Sequence, residues 1–243
     1  MFSIYDLSKE EDRLIQNAKD IHGRYFTFTK EVIEYSWTFI EKIDATAYVF
    51  NAFSTQMNKS LSLSLLSIIR LHTIQAYQSL RNAIESVGLA SYSLYKPNQN
   101  NYVLDNPEFP GHLIAKKGVS DKVNKWLNNN YPSHSDKLRN IKSEHINKHF
   151  AHSNLTDALT NVHYIDNKTY NSVFDETSFI LTKIHLVSLS NMAIHMIDLL
   201  GNVLKDYPLA KIKTGHSVKL DGFYRTCRQQ YLSLKNDATF PKY

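Results

Sequence analysis

Cysteine, glycine and proline are all scarce in this chain. Its 243 residues include one cysteine, Cys227, which excludes an internal disulfide framework and is compatible with a reducing compartment. Seven glycines and six prolines leave long stretches without residues that break helices. The apolar-periodic stretches also run well beyond the usual length of a strand. The sequence therefore predicts an all-α fold, a bundle of about five to seven helices, in which Cys227 is structural.

Long apolar runs and a basic leader are also lacking. No run approaches the roughly 20 consecutive apolar residues that a membrane span needs, and the opening MFSIYDLSKEEDR has neither a basic stretch nor an apolar core. We therefore expect a cytoplasmic location without membrane association. The excess of basic residues is modest, 28 against 23 acidic ones, and it slightly favours a polyanionic partner such as RNA.

Helical periodicity predicts three long helices that pack on one another. The longest, at 57–95, is expected to be the central helix, because apolar residues recur along it at helical spacing over many turns. The others are predicted at 135–152, with Ser135 as N-cap, and at 176–206, with Asp175 as N-cap. Their apolar stripes are wide enough to face a shared core.

The remaining segments predict the domain organisation. The sequence contains neither an internal repeat nor a second-domain boundary, so residues 1–243 are predicted to form a single helical domain. Residues 1–55 are expected to be a helical N-terminal extension. Three prolines and several asparagines without periodicity predict a long surface loop near 96–112. The C-terminal tail at 209–243 is predicted to be basic and irregular.

A short segment, RNIKSEHINKHFAHSN from Arg139 to Asn154, places an arginine and three histidines close together. On an α-helix His145 and His152 would lie about 20° apart and His149 about 40° from His145, so that all three share one edge. Three interpretations are open at this point. The histidines pack at a helix interface, bind a metal, or carry out acid–base chemistry on a nucleic acid.

A metal site requires more ligands than this segment supplies. The spacing of His145 and His149 places two imidazoles one turn apart, as helical zinc sites require, with His152 a further turn along. However, no cysteine is near, and Glu144 would point about 100° away from His145. We therefore predict neither a metal nor a cofactor.

The same segment resembles the signature of the HEPN superfamily, in which an arginine followed by Asn, Asp or His precedes a histidine by four to six residues. Its NKHFAHS stretch is close to the Arg-Asn/Asp-Lys-x-x-Ala-His form of the abortive-infection branch, and YQSLRNAIESVGLASYSLY, with Arg81 and Glu85, is similar to the long first-core helix of these proteins. The resemblance implies an all-helical fold and, as in many members, a metal-independent ribonuclease of phage defence or toxin–antitoxin systems. It also implies a homodimer in which two motif copies face one cleft.

The motif fits this chain in two registers, and the sequence leaves both open. In the first, Arg139, Asn140 and His145 satisfy the family spacing. In the second, the family histidine is His152, but Ile146 occupies the arginine position, and a hydrocarbon does not stabilise phosphate charge. The resemblance therefore implies the following candidate catalytic residues: His152, His145, Arg139, Asn147, Asn140 and His149.

Two functions follow from this resemblance. The first is a metal-independent ribonuclease or toxin-like effector in phage defence, in which histidines transfer protons and an arginine holds the phosphate. The second is a catalytically inactive HEPN-like module that binds RNA, a nucleotide or a protein partner such as an antitoxin, and the hydrocarbon at Ile146 favours it. An arginine at that position is expected to restore cleavage in the second register. Under either function, Tyr224 and Tyr231 in the basic tail are available to stack on bases, and the alternative is that the tail is a solvated surface segment.

Overall fold

The computed structural model describes residues 3–147, 162–165, 168–175 and 178–240 of the chain. Within them most of the backbone is α-helical and the strands are short, which confirms the all-α prediction. The α-helices are α1 (Ile4–His22), α2 (Arg24–Thr38), α3 (Tyr48–Ile69), α4 (Thr73–Tyr95), α5 (Val119–Asn130), α6 (Pro132–Asn140), α7 (Phe179–Asp206) and α8 (His216–Lys235). The strands are β1 (Ile40–Ile43), β2 (Val103–Asp105), β3 (Leu113–Ala115), β4 (Val162–Ile165), β5 (Lys168–Asn171) and β6 (Ala210–Ile212), and they form the antiparallel pairs β1–β6, β2–β3 and β4–β5.

Helix α7 lies at the centre of the bundle and packs against α2, α3, α4 and α8. The largest fully buried side chains include six from this helix: Leu186, Leu189, Met192, Ile194, Met196 and Ile197. Of the helices in the described residues, α7 alone is long and apolar enough to cross a membrane, and 67% of its apolar window is buried inside the structure. The long central helix is therefore α7 and not the 57–95 segment, because α7 contacts neighbours on several sides.

The prediction of one helix at 57–95 is wrong, because the chain reverses direction within it. Helix α3 ends at Ile69 and α4 begins at Thr73, and the two lie side by side as an antiparallel hairpin. Between them Leu71 has a φ of 60°, in the left-handed region that few residues other than glycine adopt. Helical periodicity continues across the break because both helices bury an apolar face, and no glycine or proline marks the turn in the sequence.

Helix α1 holds this reversal through a single carboxylate. Glu11 Oε2 accepts a hydrogen bond from Arg70 Nη1 at 3.3 Å, and Glu11 Oε1 lies 2.8 Å from His72 Nε2. The His72 ring also stacks on Phe174, with the ring centres 5.5 Å apart. These contacts join α1 and the segment before α7 to the turn between α3 and α4.

Asp175 caps α4 and not the helix that follows it in sequence. Its carboxylate accepts a hydrogen bond from the backbone N–H of Thr73 at 2.5 Å, and its own N–H donates to the Leu71 carbonyl at 2.9 Å. The prediction that Asp175 caps the last long helix is therefore wrong. Ser178 caps α7 instead, because its hydroxyl accepts from the Leu181 N–H at 3.3 Å.

The prediction of an irregular tail at 209–243 is also wrong over most of its length. Strand β6 pairs with β1, and α8 follows it as a helix of 20 residues that packs on α7. Its buried apolar residues recur at helical spacing: Leu220, Phe223, Cys227 and Leu234. Burial raises the pKa of Cys227 to about 11, in keeping with a structural cysteine. The apolar stripe is visible in the sequence, but the surrounding basic residues obscure it.

The loop at 96–112 and the N-terminal region agree more closely with the predictions from the sequence. The loop predicted near 96–112 lies on the surface, although it includes β2, whose partner β3 follows it, and exposes Leu104 and Phe109. The described part of the region at 1–55 is largely helical as expected, apart from β1, and it contributes Val32 and Phe39 to the shared hydrophobic core.

Candidate functional site

Helix α6 leads into the predicted histidine segment and changes geometry there. It begins at Pro132, ahead of the predicted N-cap Ser135, and ends at Asn140. Residues Ile141–Asn147 continue as a π-helical stretch, called the π segment below. A π-helix has i to i+5 hydrogen bonds and a wider turn than an α-helix, and single π turns are frequent at functional sites.

The predicted α-helix at 135–152 is therefore wrong over 141–147, and the α-helical angles between the three histidines do not apply across this stretch. The side chain of His145 lies outside the described part of the structure, as do His149 and His152. The shared edge that the sequence predicts for the three histidines stays a prediction.

A cavity of about 300 Å³ lies between α4, α5, α6 and the π segment, and we call it the motif cavity. Its floor is formed by apolar residues, most of them buried: Ile84, Gly88, Leu89, Val123, Leu127 and Leu138. Its polar lining consists of Ser120, Asn124, Asn128, Ser135, Ser143 and Asn147. Arg139, Lys142 and Glu85 add charged groups. The fold thus brings two of the predicted site residues, Arg139 and Asn147, to one cavity.

The charged groups of the motif cavity are paired. Arg139 Nη2 lies 2.6 Å from Asp136 Oδ1 on the exposed face of α6. Lys142 Nζ lies 2.7 Å from Glu85 Oε1, and Arg81 Nε lies 3.3 Å from the same oxygen. Burial acts to raise the pKa of Glu85, but the hydrogen bond and charge of Lys142 bring it below its ordinary value. Lys142 therefore joins the Arg81–Glu85 pair of α4 to the segment that precedes the histidines.

Two asparagines of the motif differ in their surroundings. The Oδ1 atom of Asn147 is buried, and no residue that the structure describes donates a hydrogen bond to it. Buried acceptors without a donor are rare in folded proteins. Asn140, by contrast, is exposed and does not line the motif cavity. Of the two, Asn147 is therefore the motif asparagine that lines the cavity.

Ile146 is fully buried, with 0% of its surface exposed. In the second register this position would hold the family's arginine, and a guanidinium there would enter the hydrophobic core. The first register keeps its cation at an exposed position, because the Arg139 side chain is 59% exposed. The burial of Ile146 therefore favours the first register. It also argues against the prediction that an arginine at position 146 would restore RNA cleavage.

A second polar cluster, centred on Asp198 of α7, was not predicted from the sequence. Asp198 Oδ2 accepts a hydrogen bond from the Tyr224 hydroxyl at 2.9 Å and lies 3.3 Å from His134 Nε2, while Asn202 Nδ2 donates to Oδ1 at 3.0 Å. The Tyr224 hydroxyl also lies 2.8 Å from His195 Nδ1. The hydrogen bond from His134 lowers the pKa of Asp198, which keeps the carboxylate charged. The cluster ties α6 and α8 to α7 and so fixes the helix that carries Arg139.

The sequence held a signal for this cluster. His195, Asp198 and Asn202 recur at intervals of three and four residues, which places a polar edge along the otherwise apolar α7. A polar edge on a buried helix predicts partners from neighbouring helices. Among the described residues, no group of three or more His, Cys, Asp or Glu side chains is arranged to hold a metal ion.

Tyr224 and Tyr231, the two tyrosines considered for base stacking, have different environments. Tyr224 is bound into the Asp198 cluster, and burial together with the Asp198 charge raises the pKa of its hydroxyl. Its hydroxyl is therefore held by the cluster, and its ring centre lies 5.2 Å from that of His195. Tyr231 is 49% exposed on α8 and remains available to stack on a base.

No family model, no curated protein and no solved structure matches this chain. The HEPN interpretation therefore depends on the residues quoted from the sequence and on the all-helical class of the fold.

Proposed function

We propose that this chain is a HEPN-type metal-independent endoribonuclease that acts as an effector in phage defence. The observation that carries the proposal is the motif cavity, which is lined by Arg139, Lys142 and Asn147, residues just before and at the start of the histidine-rich stretch of the chain. An exposed arginine offers planar N–H donors to a phosphate, and among the described residues the ion pair of Arg139 with Asp136 uses Nη2 alone.

The chemistry requires two proton transfers and a cation. One histidine of the 145–152 stretch removes the 2′-hydroxyl proton of the RNA, and the oxygen then attacks the adjacent phosphorus. The bond from phosphorus to the 5′-oxygen breaks, and a second histidine protonates the leaving oxygen. Arg139, supported by Lys142, stabilises the charge that develops on the phosphate. The products are a 2′,3′-cyclic phosphate and a 5′-hydroxyl end.

Replacement of His152 by alanine is expected to lower RNA cleavage in chelator-containing buffer by roughly 100-fold or more, because a general acid or base contributes about that much to the rate. The melting temperature should stay nearly unchanged. Cleavage is measured on a mixture of single-stranded and structured RNAs, with thermal unfolding of the same preparations alongside. Cleavage that the chelator abolishes, or an unchanged rate in His152→Ala, would contradict the proposal.

Arg139→Ala is expected to lower the same rate roughly tenfold or more, because it removes the cation from the phosphate. Arg13→Ala is the matched control, since Arg13 forms a comparable exposed ion pair with Glu10 three residues away on α1. The control should cleave like the wild type. Equal losses in the two variants would indicate a general effect of charge instead of a site.

The inactive module is the second candidate, and the hydrocarbon at Ile146 favours it, because the second register of the motif has no arginine at that position. A module of this kind would bind RNA, a nucleotide or a protein partner such as an antitoxin. It is distinguished by RNA binding that Arg139→Ala weakens, without chelator-resistant cleavage of any RNA. In that case His152→Ala would change stability more than activity.

We also propose that two copies of the chain share the active site, with α6 and the π segment at or near the interface. The exposed positions of Arg139 and Asn140 leave this face of the described structure open to a second copy. The weakened Arg139→Ala and His152→Ala chains, mixed and refolded together, should then rise to about a quarter of wild-type activity, above either variant alone, because half the dimers carry one intact site of two. Sedimentation of the wild type should show a dimer. A monomer, or no recovery in the mixture, would exclude a shared site.

A further inference from the structure

We propose that the motif cavity binds a single nucleobase of the RNA, so that the site recognises a base as well as the phosphate backbone. The proposal rests on the proposed function, because it takes RNA as the ligand of this site. It adds a recognition element that the histidine motif does not contain.

The floor of the motif cavity is suited to the flat face of a base. Buried apolar side chains from α4 and α5 form it, including Ile84, Val123 and Leu127. Gly88 allows the two helices to approach, because a Cβ atom there would lie 3.2 Å from Val123 Cγ1, closer than ordinary contact. At about 300 Å³ the cavity is at the small end of the range for ligand sites, which fits one base better than a larger ligand.

The polar groups around this floor match the edge of a base. The buried Oδ1 atom of Asn147 is an acceptor to which no described residue donates, and an N–H group of a base would satisfy it. The Oδ1 atom of Asn128 already accepts from the Ser135 hydroxyl, so this side chain has its amide N–H groups to offer. Asn124 adds a further amide at the exposed side of the cavity. Acceptor and donor groups around an apolar surface are the pattern by which proteins read unpaired bases.

Two cations beside the cavity would hold the phosphate of the bound nucleotide. Arg139 and Lys142 line the same cavity as the amides, with Arg139 on the exposed side. A base seated against Val123 and Leu127 would therefore have its phosphate within reach of the guanidinium. This arrangement positions the scissile phosphate beside the residues that lead into the histidine stretch, and it predicts that base binding and cleavage are coupled.

The test compares ligands that share a phosphate but differ in the base. Binding of nucleoside 5′-monophosphates, ribose 5-phosphate and inorganic phosphate to the full chain is measured by calorimetry. We expect the best mononucleotide to bind at least tenfold more tightly than ribose 5-phosphate. Asn147→Ala should weaken mononucleotide binding roughly fivefold, the usual effect of one hydrogen bond, and leave ribose 5-phosphate unchanged. Asn51→Ala, at an exposed position of α3, is the control and should bind like the wild type.

A second variant keeps the test decisive if Asn147→Ala folds poorly. Asn124→Trp adds a large ring at an exposed position on the cavity edge, so that it obstructs the cavity without disturbing the core. It should abolish the preference for mononucleotide over ribose 5-phosphate. Equal binding of the two ligands to the wild type, or an unchanged preference in Asn124→Trp, would overturn the base pocket.

Failure of the base pocket and failure of the ribonuclease proposal give different results. Chelator-resistant cleavage that persists with normal affinity in Asn124→Trp would reject the pocket and retain the ribonuclease. Mononucleotide binding that depends on Asn147, in a protein that cleaves no RNA, would reject the ribonuclease and retain the pocket.

Discussion

Ile146→Arg is expected to lower the free energy of unfolding by about 4 kcal/mol or more, because it places an unpaired charge in the hydrophobic core. Ile146 is fully buried and belongs to the core cluster of the bundle. The loss of isoleucine packing adds to the cost. The variant should therefore fold poorly, and a gain in RNA cleavage is not expected.

Ile114→Arg provides the matched control for this variant. Ile114 lies on β3 and is 41% exposed, so the same change of side chain there should cost about 1 kcal/mol or less. Urea unfolding of both variants measures the difference. If Ile146→Arg were as stable as Ile114→Arg and cleaved RNA faster than the wild type, position 146 would face the site, and the second register of the motif would be the functional one.

Acid is expected to destabilise the protein steeply between pH 6.5 and pH 4. Burial lowers the pKa of both His185 and His195 to about 4, from an ordinary value of 6.5. Because the folded-state values are depressed, the unfolded chain binds more protons within this window, and stability falls as the pH falls. For His185, the more deeply buried of the two, the loss is on the order of 2 to 3 kcal/mol. His22 and His216 shift in the same direction, also chiefly because of burial.

Urea unfolding at several pH values between 7 and 4 tests this expectation. His185→Gln should be less stable than the wild type at pH 7, where it loses the contact between His185 Nδ1 and the Tyr77 hydroxyl, but it should lose less stability on acidification. His112→Gln, at an exposed position, is the control and should retain the wild-type slope. If the stability of His185→Gln depended on pH as strongly as that of the wild type, the pKa of His185 would not be lowered in the folded state.

The helices were predictable because burial imposes a period on the sequence. The segment at 176–206 shows apolar residues at helical spacing and forms α7, which begins at Phe179 and ends at the predicted residue, Asp206. The same reasoning failed at 57–95, since two antiparallel helices that bury one face each have the same period as one long helix. The contacts of Glu11 and Asp175 help to fix the reversal between them, and they come from residues far from the turn in sequence.

The candidate site was predictable in part. The sequence singled out Arg139 and Asn147 together with Arg81 and Glu85, and the fold connects these two groups through Lys142. The π segment was not predictable, because its residues have no sequence pattern that distinguishes them from an α-helix. Its wider turn gives the side chains of Ile146 and Asn147 directions that differ from those on an α-helix.

The sequence by itself determined the all-α class, the apolar faces of the helices and the residue types available for chemistry, because each of these depends on local spacing and composition. The tertiary structure decided where the chain reverses, which helix is central and which polar residues meet. The Asp198 cluster joins His134, 64 residues earlier in the chain, to Tyr224, 26 residues later. Contacts over such separations depend on how the helices pack, and a local pattern contains no information about the partner that packing supplies.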